Sequence, residues 1–252
     1  MDYTHIVVPN SDEIIDETDQ YDVNLKDVQD ISGIGQVHYS LKLSGSGTLI
    51  QDDGQLLMRD QASGIYYLHD YIPKSFHGKA KPEDVSVASE IWAFKGRSKR
   101  AFLRFDRELF YAVAGIIREN QLTDVGLTAV PSSAQGKPYP MLLIIEDIVR
   151  RIKDISKTRT LSFRVFDDGP LLRRESSIKK AHQGERATYD EQLASLRCLE
   201  NGLWNRRPAY ILMDDVATTG TSLDACRDLL VANGIKRSSI YRLVIAKTKW
   251  IK

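Results

Sequence analysis

The chain has 252 residues, of which 42% are hydrophobic and 27% are charged, and its 35 basic and 34 acidic side chains leave a formal charge of +1. This composition is typical of a globular protein and excludes an intrinsically disordered chain. The length permits one large domain, or one domain with a substantial extension. The near-zero charge argues against attraction of the whole surface to nucleic acid and leaves local basic patches open.

Cysteine usage and apolar run lengths predict a cytoplasmic protein without membrane contact. Cys198 and Cys226 cannot form a paired metal-ligand motif, and they fit buried thiols in a reducing compartment. No apolar run approaches the ~20 residues that span a bilayer. Met1 is followed by Asp2 and Tyr3 rather than by a basic and then apolar signal segment.

Residues 1–85 are predicted to form a β-rich extension. Acidic residues crowd positions 12–30, which is typical of a solvated arm. Apolar residues alternate with polar ones over 37–43, and a turn at 52–54 follows, so we expect antiparallel hairpins. The apolar run at 65–72 predicts one more strand. This extension offers a surface for a partner protein or for a homodimer.

From residue 86 onward, the sequence alternates between helical and strand patterns. Helical spacing of apolar residues predicts helices, and short apolar runs predict strands. The predicted helices cover residues 102–120, 142–152, 193–203 and 222–234, and the predicted strands cover residues 125–130, 161–166, 210–213 and 240–246. This alternation predicts an α/β domain over 86–252, with a mainly parallel sheet and helices on both faces.

The most informative segment runs from Tyr210 to Ser222. A hydrophobic strand ends in the adjacent carboxylates Asp214 and Asp215, and a small, hydroxyl-rich turn then leads onto a helix. The turn consists of Ala217, Thr218, Thr219, Gly220 and Thr221. Backbone N–H groups, hydroxyls and the helix dipole can converge there on one anion, and carboxylates accept hydrogen bonds from vicinal hydroxyls. The segment therefore predicts a ligand with a phosphate and a ribose, although a helix cap would also explain the turn.

This segment resembles the phosphoribosyl-pyrophosphate signature of type I phosphoribosyltransferases. The resemblance implies the type I phosphoribosyltransferase fold, in which Asp214 and Asp215 hold the ribose hydroxyls and the turn holds the 5′-phosphate. It also implies Mg²⁺ at the two carboxylates, where the ion neutralises the pyrophosphate leaving group. The implied activity is transfer of the ribosyl 5-phosphate from phosphoribosyl pyrophosphate to a base or another acceptor, with release of pyrophosphate.

The resemblance implies two further loops. The family places a pyrophosphate loop where residues 130–137 lie, with Ser132, Ser133 and Lys137 as candidate ligands, although an ordinary turn would look much the same. The polar stretch at 169–186 occupies the interval of the family's mobile loop, and we expect it to close over the donor. Its candidate contacts to pyrophosphate are Arg174 and Lys180, followed by Arg173, Lys179, His182 and Arg186.

Within the superfamily, the chain resembles the ComF-type, competence-associated phosphoribosyltransferases over roughly residues 65–252. The likeness rests on residues 91–96, on Val130-Pro131, on the helix at 192–197 and on the signature segment. Those proteins usually begin with a cysteine-ligated zinc module. This chain has neither the cysteines nor the spacing, and its acidic arm and hairpins stand in that place.

Two signals concern the acceptor. Basic residues from Lys95 to Arg107 interleave with aromatic side chains, which would suit a nucleic acid, but a solvated basic helix face explains them as well. Lys247 and Trp250 follow the last strand, where relatives place groups that read the acceptor base, and a Trp at that point can stack or simply pack. Two alternatives to a free-base transferase therefore stay open: a regulator that senses phosphoribosyl pyrophosphate, and a transferase acting on a nucleic-acid or protein partner.

Overall fold

The computed structural model describes residues 49–50, 56–73, 76, 82–134, 139–158, 160–178, 187–199 and 206–250. The acidic arm at 12–30, the strand pattern at 37–43, the turn at 52–54 and the end of the helix predicted over 193–203 lie outside these residues.

Strands and helices alternate along most of the described chain. In chain order the elements are β1 (Leu49–Ile50), β2 (Leu56–Arg59), β3 (Ile65–Tyr71), α1 (Pro82–Lys95), α2 (Lys99–Glu119), β4 (Asp124–Ala129), α3 (Pro140–Thr158), β5 (Arg164–Asp167), β6 (Leu172–Arg174), α4 (Tyr189–Ala194), β7 (Leu196–Cys198), β8 (Ala209–Ala217), α5 (Thr221–Ala232) and β9 (Ile240–Thr248).

The main sheet is mixed and mostly parallel, with the order β1-β2-β3-β9-β8-β4-β5. Strands β3, β9, β8, β4 and β5 run parallel, whereas β1, β2 and β3 pair in antiparallel fashion. Strands β6 and β7 form a separate antiparallel pair. The predicted α/β class with a mainly parallel sheet is confirmed.

Strand β8 lies at the centre of the core and is buried on both faces. Ile211 and Met213 pack in the cluster that includes residues of α1, α2 and α3, whereas Tyr210 and Leu212 pack in the cluster that includes residues of α5. A strand covered on both faces needs a continuous apolar run rather than an alternating one. The run at 210–213 meets that requirement, and it carries the following carboxylates to the edge of the core.

Helix α2 shows how the pattern produces the packing. Phe105, Leu109, Ala112 and Ile116 recur at helical spacing, and all are fully buried. Burying such a side chain contributes about 1.5–3 kcal/mol for the larger residues. The helix ends at Glu119 and is capped by Asn120, whose side-chain amide donates to the carbonyl of Ile116 at 2.9 Å.

The part of the predicted extension that the structure describes belongs to the main sheet. Leu49 lies opposite Leu57, as expected for the predicted hairpin. The predicted strand at 65–72 is confirmed as β3, and it pairs in parallel with β9. The predicted domain boundary at residue 85 therefore falls between strands of one sheet.

The helix predicted over 193–203 is wrong. Helix α4 begins earlier, because Thr188 and Glu191 form a reciprocal capping box, and it ends at Ala194. Residues 196–198 then form β7, in which Leu196 pairs with Arg174 of β6. Leucines spaced three apart imitated a helical face, and the pairing with β6 overrode that local pattern.

Among the described residues, no helix combines the length and the apolar character needed to cross a membrane.

Candidate functional site

The connections of the sheet reverse direction between β4 and β8. From β4 the chain passes through α3 to β5 on one side, and from β8 it passes through α5 to β9 on the other. Open parallel sheets bind ligands in the crevice outside the carboxyl ends of strands at such a point. The two strand ends are joined by a hydrogen bond from the Val130 N–H to the Met213 carbonyl at 2.9 Å. The topology therefore brings the loop after β4 next to the carboxylates after Met213.

Asp214 and Asp215 share a tyrosine hydroxyl as their neighbour. The Tyr139 hydroxyl donates to Oδ1 of Asp214 at 2.6 Å and accepts from the backbone N–H of Asp215 at 3.0 Å. The same Asp215 N–H also donates to Asp214 Oδ1 at 2.8 Å. Asp214 is half-buried, and Asp215 is only 7% exposed. The phenol and the backbone thus fix one oxygen of Asp214.

Negative charge on the carboxylate pair is unfavourable in this environment. Removal from water raises the pKa of Asp214 to about 7, and the carboxylate of Asp215 adds to that rise. Removal from water also raises the pKa of Tyr139 well above its ordinary value, and both carboxylates add to the effect. Tyr139 therefore stays a neutral hydrogen-bond donor. Hydroxyl donors or a cation at this pair would favour its ionised form.

Lys95, at the end of α1, contacts the same pair. Its Nζ lies 3.0 Å from Oδ1 of Asp215. Burial would lower the pKa of Lys95, but the attraction of Asp215 outweighs burial and raises it. In the predicted basic patch from Lys95 to Arg107, Arg104 also has carboxylate partners, Glu90 and Glu108. Part of the positive charge expected for a nucleic acid is therefore neutralised within the protein.

The predicted turn at 217–221 lies at the junction of β8 and α5, with Ala217 ending β8 and Thr221 beginning α5. Gly220 adopts φ +83°, a left-handed conformation that favours glycine, and a Cβ there would lie 3.1 Å from Cδ1 of Ile65. Gly220 precedes α5 and provides no side-chain cap. The Thr219 and Thr221 hydroxyl oxygens lie 2.7 Å apart. The N-terminus of α5, with its helix dipole, therefore lies beside the hydroxyls of Thr219 and Thr221, an arrangement that suits an anion.

Arg174 lies behind the loop after β4. It is 6% exposed, and its Nε donates to the Ser132 carbonyl at 2.9 Å. Its other nitrogens donate to Ser195 Oγ and, at 3.2 Å, to Gln192 Oε1. The backbone N–H of Ile178 donates to the Ser133 carbonyl at 3.1 Å. The segment that contains Arg174 is therefore bound to the loop that contains Ser132 and Ser133.

The polar stretch at 169–186, expected to be a loop, contains strand β6 at residues 172–174. Leu171 and Leu172 are buried, and β6 pairs with β7. Burial of these two leucines and of the Arg174 guanidinium anchors the segment in the core. Arg174 thus lies in a strand rather than in a mobile loop. Other candidates fall outside the described residues: Lys137, Lys179, Lys180, His182 and Arg186.

Lys247 and Trp250 lie at the carboxyl end of β9, beside the turn. Lys247 pairs with Ala217 in the strand register, and its Nζ lies 3.3 Å from Oδ2 of Asp60. Trp250 is 51% exposed, and its ring meets the Phe76 ring edge-on with centroids 5.9 Å apart. Both residues are thus on the same sheet edge as the carboxylates, with Lys247 already paired.

Two residues of the site, Tyr139 and Lys95, were not predicted from the sequence to belong to it. Tyr139 lies 75 positions from Asp214, and no sequence pattern connects them. Lys95 was assigned to a surface patch because its neighbours are basic, whereas the end of α1 directs it to Asp215. A lysine at the last position of a helix does not reveal which carboxylate it will meet.

The carboxylate pair fits a cation that takes further ligands from its substrate. Within the part of the chain that the structure describes, no cluster of three or more His, Cys, Asp or Glu side chains could hold a metal. Mg²⁺ is usually bound through one or two carboxylates, substrate phosphates and water, so Asp214 and Asp215 match this mode.

Comparison with protein-family models and with curated proteins finds no match for this chain. Its function is therefore inferred from the geometry and chemistry of the site.

Proposed function

We propose that the chain is a type I phosphoribosyltransferase. It binds phosphoribosyl pyrophosphate with Mg²⁺ at the crevice between β4 and β8, and it transfers the ribosyl 5-phosphate to an acceptor with release of pyrophosphate. The observation that carries this proposal is the arrangement at the switch point of the sheet. There, a carboxylate pair and an anion-binding turn on β8 lie beside a small-residue loop on β4.

The turn is assigned to the 5′-phosphate. Its backbone N–H groups, the hydroxyls of Thr218, Thr219 and Thr221, and the N-terminus of α5 provide donors and positive potential. Asp214 and Asp215 accept hydrogen bonds from the ribose hydroxyls. These donors replace the water whose removal, together with the charge of Asp215, raises the pKa of Asp214.

The loop after β4 is assigned to the pyrophosphate group. Small side chains at Ser132, Ser133 and Ala134 let the backbone N–H groups approach the anion. Bound at Asp214 and Asp215 together with the donor, Mg²⁺ supplies positive charge that neutralises the leaving group. Lys137 and Lys180 are proposed as additional cations at the leaving group.

Catalysis is then mainly electrostatic. Breaking the bond between ribose C1 and pyrophosphate builds positive charge on the sugar ring and negative charge on the leaving group. The carboxylates hold the ribose and face the developing cation, while Tyr139 keeps the Asp214 carboxylate in one orientation. The acceptor attacks C1 from the side of Lys247 and Trp250, and water must be excluded meanwhile.

A regulator that binds phosphoribosyl pyrophosphate without turnover is the second candidate. The ion pair between Lys95 and Asp215, 3.0 Å apart, favours it because the ammonium offsets carboxylate charge that would stabilise a developing ribosyl cation. A sensor needs the donor to bind but does not need the ribose to react.

The test uses the full chain, Mg²⁺, labelled phosphoribosyl pyrophosphate and a panel of free bases. Pyrophosphate release with a free base supports the transferase, and binding without release supports the sensor. Release only with added nucleic acid or protein supports a macromolecular acceptor. A chain that neither binds nor cleaves the donor contradicts the proposal.

Binding is checked by thermal unfolding of a variant pair. Donor at a hundred times its dissociation constant should stabilise the wild-type chain by about 2.7 kcal/mol. The double variant Asp214→Asn, Asp215→Asn should lose this stabilisation. The control, Asp154→Asn, removes an exposed carboxylate that pairs with Lys157 on α3, and it should keep the stabilisation.

A further inference from the structure

The guanidinium of Arg174 is buried among neutral acceptors. It donates to the Ser132 carbonyl in the loop after β4, and to Gln192 Oε1 and Ser195 Oγ at the end of α4. Among the described residues, no carboxylate forms an ion pair with it. Burial lowers the pKa of Arg174, and the longer-range attraction of Asp214 does not outweigh burial. A buried charge without a contacting counter-charge is costly.

Hydrogen bonds from Arg174 of β6 and from Ile178, which follows β6, orient the backbone of the loop after β4. Arg174 holds the Ser132 carbonyl, and the N–H of Ile178 holds the Ser133 carbonyl at 3.1 Å. In a trans peptide the N–H points opposite to the C=O of the same unit, and the described chain contains no cis peptide bond. The N–H groups of Ser133 and Ala134 therefore point away from Arg174 and Ile178, and the Ala134 N–H donates to Ser132 Oγ at 3.4 Å.

An anion on that opposite side would complete the arrangement. It would accept from the Ser133 N–H and, in place of Ser132 Oγ, from the Ala134 N–H, and its charge would attract the guanidinium through one layer of backbone. Arg173, the neighbour of Arg174 in β6, is exposed and pairs with Glu175 at 2.9 Å. Of these two adjacent arginines, Arg174 is buried without an ion pair, whereas Arg173 is exposed and has a carboxylate partner. Arg173 therefore provides a matched control.

We propose that Arg174 is a positioning residue that clamps the loop after β4 and turns its Ser133 and Ala134 N–H groups toward the pyrophosphate group of the donor. This inference rests on the proposed function, because it assigns the diphosphate of that donor to this loop. Arg174 acts through the Ser132 carbonyl and does not itself contact the substrate.

The test measures inorganic pyrophosphate and ribose 5-phosphate separately, each with Mg²⁺, by calorimetry. Arg174→Gln should weaken pyrophosphate binding by about tenfold or more, the effect of a lost hydrogen bond to a charged group. Ribose 5-phosphate, which uses the turn at 217–221, should bind within about twofold of wild type. Arg173→Gln should leave both affinities unchanged. Arg174→Lys retains the charge without the planar fork and should lie between Arg174→Gln and wild type.

The wild-type chain offers a measurement that does not depend on a variant folding. Addition of pyrophosphate with Mg²⁺ should shift the amide resonances of Ser133 and Ala134. Unshifted resonances, an unchanged pyrophosphate affinity in Arg174→Gln, or equal losses for both ligands would overturn the inference while the proposed function stands. If the wild-type chain binds neither ribose 5-phosphate at the turn at 217–221 nor pyrophosphate at the loop after β4, the proposed function is wrong. This inference then fails with it.

Discussion

Replacing Asp214 by asparagine removes the charge that the folded chain accommodates with difficulty. In the unfolded chain this carboxyl titrates near its ordinary pKa of 3.8, whereas burial and Asp215 raise its pKa in the folded chain to about 7. This difference corresponds to at most about 4 kcal/mol of stability. Below both values the carboxyl is protonated in either state, and its contribution to stability is fully present. Between the two pKa values the unfolded chain has released the proton and the folded chain has not. The contribution therefore falls over this range and is lost once the pH has risen through about 7.

The asparagine variant has no such loss, so its stability relative to wild type should increase with pH. Between pH 5 and pH 8 the gain should be about 3 kcal/mol. Urea denaturation at constant ionic strength measures it, without Mg²⁺ or donor. The carbonyl of asparagine can still accept from Tyr139, so the hydrogen bond at 2.6 Å is preserved. Asp154→Asn, at an exposed site, should not show this gain. A stability difference between Asp214→Asn and wild type that is independent of pH would refute the electrostatic reasoning.

Three other substitutions and reactions probe the same region. Tyr139→Phe should lower the free energy of unfolding by about 1 kcal/mol at pH 8, because the ionised Asp214 loses a hydrogen-bond donor. At pH 5 the loss should be smaller, and urea denaturation at the two pH values measures the difference. Gly220→Ala should lower the free energy of unfolding by about 1–2 kcal/mol, because φ +83° disfavours a Cβ and the added methyl would lie close to Ile65. An unaltered denaturation midpoint would show that the turn relaxes. Burial raises the pKa of the Cys226 thiol, so a thiol reagent should modify it at least about tenfold more slowly in the folded chain than in urea, and equal rates would mean that the thiol is accessible.

The segment from β8 to α5 could be predicted closely because its signals are local. The apolar run, the paired carboxylates and the glycine before a helix lie within residues 210–222, and each has a direct backbone consequence. Gly220 illustrates this, since the left-handed φ that the turn requires is the conformation that glycine tolerates best. The same holds for α2, whose apolar spacing determined both its extent and its buried face.

Arg174 shows where local signals misled. Its basic neighbours and the polar stretch that follows it predicted an exposed loop residue. Pairing of β6 with β7 instead buries it against Ser132, Gln192 and Ser195. The same local sequence can leave a guanidinium solvated or buried, because its environment depends on which segments of the chain pack around it.

The sequence by itself determined the α/β class, most strands and helices of the core, and the position of the turn before α5, because these follow from apolar periodicity and from backbone preferences of single residues. It did not predict α1 or the β6–β7 pair. Only the tertiary structure decided that β3 joins β9, that Tyr139 bridges Asp214 and Asp215, and that Lys95 neutralises Asp215. Those contacts join residues far apart in the chain. Their formation depends on how whole elements pack in space, and no local pattern encodes that packing.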